Sequence, residues 1–68
     1  MRLKPTKQQV IDQGRLWRQK DDPEVTARVI EDPKDKLRIY AVVTDKYGSW
    51  FHERWTRRTF EITFEEVE

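Results

Sequence analysis

Apolar and polar residues alternate along most of this chain, and few stretches carry the three-to-four-residue spacing of a helix. Leu37 to Thr44 is rich in β-branched and aromatic residues and holds neither Gly nor Pro, the composition of a strand. Asp45-Lys46-Tyr47-Gly48 follows. Asp suits the start of a tight turn, and Gly supplies the positive φ at its end. The spacing predicts a three-residue hairpin loop closed by a bulge. The register follows: Asp45 opposite Ser49, then Thr44–Trp50, Val43–Phe51, Val42–His52, Ala41–Glu53, Tyr40–Arg54, Ile39–Trp55 and Arg38–Thr56. Cross-strand partners share a face. One face takes Leu37, Ile39, Ala41, Val43, Phe51 and Trp55, interrupted by Glu53, and reads as core. The other takes Arg38, Tyr40, Val42, Thr44, Trp50, His52, Arg54 and Thr56, with aromatic side chains interleaved with cations.

The same pattern predicts the remaining elements. Arg15 to Lys20 reads as a strand with Leu16 and Trp17 as its apolar residues, Trp17 in the core. Asp21-Asp22-Pro23-Glu24 is a polar turn, where Pro cannot continue a ladder. Val25 to Glu31 alternates, with Val25, Ala27 and Val29 inward and Thr26 and Arg28 outward. Asp32 to Lys36 is the next turn. After Thr56 two periods compete: Phe60, Ile62 and Phe64 alternate, while Phe60, Phe64 and Val67 share a helical face. A short helical turn near residues 57–61 followed by a closing strand over 62–67 reconciles them. Residues 1–9 read as a flexible basic arm and 10–68 as a single small domain. Thr6 is placed to cap a short helix ending at Gly14, but Val10 and Ile11 are its only apolar residues. An extended entry with residues 10–12 as a short edge strand is the preferred reading, and a turn of helix over 7–12 the alternative. The fold expected is all-β, a small antiparallel SH3-like barrel of four to five strands with one short helical turn.

Composition narrows what this fold can do. Of 68 residues, 35% are hydrophobic and 40% charged, so the core is small and aromatics must supply much of it. There is no cysteine, hence no disulfide staple, and a reducing, cytoplasmic location is expected. No apolar run approaches the length of a signal-peptide core or a membrane span. Net charge is +1, too low for a strong non-specific polyanion binder. Cations gather in residues 1–20 and 37–58, acids in 21–36 and 59–68.

Gly14-Arg15-Leu16-Trp17-Arg18-Gln19-Lys20, followed by paired strands and then by Phe60 and Phe64 near the end, resembles short single-domain proteins encoded by bacteriophages and prophages. The likeness spans roughly residues 10–68. It implies an SH3-type β-barrel and a viral or mobile-element origin. Most such proteins have no assigned activity, so no functional residue is carried over.

No catalytic constellation is present. His52 is the sole histidine and Ser49 the sole serine, and on a strand they project to opposite faces. Adjacent acids such as Asp21 and Asp22, or Glu65 and Glu66, are the ordinary composition of turns and solvated ends. One histidine and scattered carboxylates make neither a zinc nor a calcium site, and two distant glycines build no phosphate loop. The expectation is a non-enzymatic protein without cofactor, metal, membrane contact or small-molecule substrate. The working surface expected is the outer hairpin face: Arg38, Tyr40, Val42, Trp50, His52 and Arg54. An apolar patch rimmed by arginine suits a protein partner or a second copy of the chain. The alternative is a nucleic-acid-binding barrel that stacks bases on Tyr40 and Trp50, with Lys4, Lys7, Arg57 and Arg58 as candidate phosphate contacts.

Overall fold

A computed structural model of the protein describes residues 4–67. The elements are α1 (Lys7–Gln13), β1 (Arg15–Gln19), β2 (Thr26–Glu31), β3 (Arg38–Thr44), β4 (Trp50–Thr56), α2 (Arg57–Thr63) and β5 (Phe64–Glu66). The strands form one antiparallel sheet in the order β4-β3-β2-β1-β5. The chain runs as a meander from β1 to β4. It then crosses through α2 and lays β5 beside β1. The sheet is open: β4 and β5 lie at opposite edges and do not pair, so the strands do not close into the expected barrel.

The hairpin has the register read from its turn, from Thr44 opposite Trp50 to Arg38 opposite Thr56. Asp45 organises the loop. Its carboxylate accepts from the amides of Tyr47 (2.9 Å) and Ser49 (3.0 Å), and Gly48 takes φ 86°, a conformation that costs a residue with a Cβ. The β2–β3 turn is built alike, with the Asp32 carboxylate accepting from the Lys34 amide at 2.9 Å.

Two helices cover the two faces of the sheet. On one face Ala27, Val29, Ile39, Ala41 and Val43 meet Phe60 and Phe64, with Trp17, Val25 and Trp55 packed around them. The aromatic rings form a roof. Phe60 and Phe64 stack at 4.4 Å, and Trp17 and Trp55 meet Phe60 edge-on at 5.2 and 5.5 Å. Burying each such ring stabilises the fold by roughly 1.5–3 kcal/mol, which is how a chain with few aliphatic residues keeps a core.

The other face is covered by α1. The preferred extended reading of residues 10–12 is therefore corrected, and residues 7–9 of the expected arm form the first turn of the helix. Thr6 and Gln9 make a reciprocal capping box: the Gln9 amide donates to Thr6 Oγ1 (3.1 Å), and the Thr6 amide to Gln9 Oε1 (2.8 Å). A helix this short has little stability alone. It forms because Val10, fully buried, and Ile11 close over Ile30, Tyr40 and Val42. Residues 1–3 of the expected arm lie outside the described residues. α2 spans the predicted helical turn and runs two residues further, and β5 is correspondingly shorter than the expected closing strand. No helix among the described residues is long and apolar enough to cross a membrane.

Candidate functional site: the hairpin and its exposed edge

The structure divides the expected outer-face residues into three groups. Tyr40 and Val42 lie under α1, 7% and 2% exposed, and are core rather than open surface. This corrects the reading of the hairpin face as a free patch. The cause is α1, which supplies the apolar cover the face lacked.

Arg38 and Arg54 are held by the β2–β3 turn. Arg54 bonds Asp32 through Nη2 (3.0 Å) and Nε (3.1 Å), and approaches Asp35 at 3.6 Å. Arg38 lies 3.8 Å from Asp35. A phosphate would have to compete with two carboxylates already in place.

Trp50 and His52 form the third group. Trp50 is half-exposed, and Lys7 Nζ sits 3.6 Å from its ring centroid, a cation–π contact that ties α1 to β4. The His52 ring meets Tyr40 edge-on at 6.2 Å, and its Nε2 is buried without a hydrogen-bond partner among the described residues. Burial pushes the His52 pKa down, with the charge of Lys4 adding to the effect, so the imidazole is neutral near pH 7.

The candidate phosphate contacts divide, with Lys4 and Lys7 beside His52 and Trp50 and with Arg57 and Arg58 on α2. Lys4 is exposed near His52, and Lys7 is engaged with Trp50. Arg57 pairs with Glu31 at 3.3 Å and donates from Nε to the Lys36 carbonyl, and Arg58 stands exposed on α2. No group of three His, Cys, Asp or Glu side chains among the described residues is arranged to hold a metal ion.

The periodicity missed the exposed set. Phe51 and Leu37 alternate onto the core face, yet they are 45% and 73% exposed. β4 is an edge strand of the sheet, and Leu37 stands just before β3, where its carbonyl accepts from the Arg57 amide at the start of α2. With Tyr47 on the loop, Trp50 and Phe51 leave the hairpin end aromatic and accessible. Beside it lies a groove of about 220 Å³ lined by Val25, Val43, Trp50, Phe51, Trp55 and Phe64 among others. The Trp55 indole N–H, in the wall of this groove, is buried with no acceptor among the described residues. A signal was available in sequence: Tyr47 falls within a tight turn, where side chains point to solvent. A larger groove of about 520 Å³ lies around Trp17, Val29 and Ile39, but its charges are largely spent on one another, Arg15 with Glu66 (2.8 Å) and Arg57 with Glu31.

Comparison with protein-family models, with curated proteins and with solved structures finds no match.

Proposed function

We propose that this chain is a non-enzymatic binding module that docks a protein partner through the end of the β3–β4 hairpin. The observation that carries this reading is the exposure of Tyr47, Trp50 and Phe51 beside an apolar groove. Large aromatics left in water next to a concave apolar surface are the composition of interface anchors. The engagement of Arg38 and Arg54 by Asp32 and Asp35, with Tyr40 buried, favours a protein over a nucleic acid.

The path of the chain supports the finer fold reading, an SH3-like small barrel left open between β4 and β5. The first and last strands are neighbours, and a helical turn precedes the last. With it goes the likeness to phage-encoded proteins: on this reading the chain is a cytoplasmic accessory protein that modulates a host or viral macromolecule.

The test is affinity capture from cell extract with the wild type and a Trp50→Ala/Phe51→Ala variant, its folding checked by circular dichroism. Loss of specific captured proteins from the variant is expected. Identical captured sets would overturn the hairpin-end reading, and tryptophan quenching by oligonucleotides that weakens steeply with salt would replace it with the nucleic-acid one.

A further inference from the structure

The outward edge of β4 has a defined hydrogen-bonding phase. The Asp45 amide bonds the Ser49 carbonyl, and the Arg57 amide bonds the Leu37 carbonyl, both at 2.8 Å. In an antiparallel ladder the bonded pairs alternate. Phe51, Glu53 and Trp55 therefore turn their backbone groups toward β3, whereas Trp50, His52, Arg54 and Thr56 turn theirs away from the sheet. β4 is a terminal strand, and most of its residues are exposed. The other edge, β5, is only three residues long, the usual way a sheet edge is blunted.

Glu53 is the residue out of place. It alternates onto the core face between Phe51 and Trp55, is exposed, and among the described residues forms no ion pair. An inward-pointing charge on an edge strand acts against pairing with a like strand. The possible two-fold pairings of β4 with a second copy bear this out. The register that pairs all seven residues sets Glu53 against Glu53 of the copy. One step toward the C-terminus sets Arg54 against Arg54. One step the other way places both Glu53 carboxylates opposite Phe51 rings. The charge that opposes a second copy matches a basic side chain instead.

Resting on the binding-module reading above, we propose that β4 accepts an extended peptide as a sixth strand. Its backbone bonds Trp50, His52, Arg54 and Thr56. A Lys or Arg of the peptide stands opposite Glu53, and apolar side chains two residues to either side stand opposite Phe51 and Trp55. These three positions are non-hydrogen-bonded pairs, where facing Cα atoms approach to about 4.5 Å and side chains meet most closely.

The test uses two synthetic peptides, Thr-Val-Thr-Lys-Thr-Val-Thr and its Glu-centred counterpart, titrated into the isotope-labelled protein by NMR. The Lys peptide is expected to bind about ten-fold more tightly, with shifts concentrated on the amides of residues 50, 52, 54 and 56 and on the Trp55 indole. Glu53→Lys is expected to reverse the preference. Equal affinity for both peptides, no binding by either at millimolar concentration, or shifts confined to β5 would each overturn the proposal. Extract capture separates the two readings. Capture lost with Trp50→Ala/Phe51→Ala but kept with Glu53→Lys removes the β4-edge mode and leaves the binding module. Capture unaffected by either variant removes both.

Discussion

Arg54 Nη2 lies 3.0 Å from Oδ2 of Asp32, a side chain only 2% exposed. The pair clamps β4 to the β2–β3 turn, and the same carboxylate accepts from the Lys34 amide. Asp32→Ala removes both and is expected to cost about 2–3 kcal/mol in urea unfolding, within the range for hydrogen bonds to charged groups and their buried partners. Asp32→Asn keeps an acceptor for Lys34 and is expected to lose less. Equal losses for the two variants would show that charge, not the turn, is what Asp32 supplies.

Gly14 joins α1 to β1 with φ −80°, a conformation open to any residue. Its constraint is steric. A Cβ there would lie 2.4 Å from the Val10 carbonyl oxygen and 2.8 Å from the Val29 nitrogen, and backbone atoms cannot swing aside. Gly14→Ala is expected to destabilise by about 3 kcal/mol, and Gly48→Ala by about 1 kcal/mol through its positive φ. Thermal melts of the two variants would rank them; the reverse order would contradict the close approach of α1 to β2.

His52 makes stability depend on pH. Its folded pKa lies below the ordinary 6.5, chiefly through burial. At falling pH the unfolded chain therefore takes up the proton first. The stabilisation is complete above about pH 6.5 and is lost as pH falls through the folded value. The melting temperature of the wild type is expected to fall more steeply over this window than that of His52→Gln. Parallel curves would show that the ring is freely hydrated in the folded state.

Glu53→Val replaces the charge on the inner face of the edge strand with a β-branched apolar residue. Sedimentation is expected to show a wild-type monomer and a variant that self-associates as concentration rises. A monomeric variant would mean that something other than Glu53 guards the edge.

Val10 is fully buried against the hairpin. Val10→Ala is expected to cost about 2 kcal/mol and to raise hydrogen exchange across α1 as well as the exposure of Tyr40. Exchange confined to the helix, with no global loss of stability, would make α1 a separately opening flap.

The hairpin was legible because its causes are local. A turn of Asp45 to Gly48 has few conformations open to it, and once the turn is set the period of two sorts every side chain onto one face or the other. Thr6 and Gly14 carried helix signals for the same reason, though two apolar residues gave too little evidence to favour them over a strand.

What local pattern cannot say is which face receives a cover. Tyr40 and Val42 are buried because α1 lies on them, and Phe51 is exposed near the hairpin end of an edge strand, although alternation places Phe51 on the core face and the other two outside. Arg54 looked like a free cation until the fold brought Asp32, distant in sequence, against it. The turns and the register were written in neighbouring residues. Burial, and with it the surface left for a partner, arose from contacts between distant segments, because a seven-residue helix and a lone hairpin have no stable position until they pack on each other.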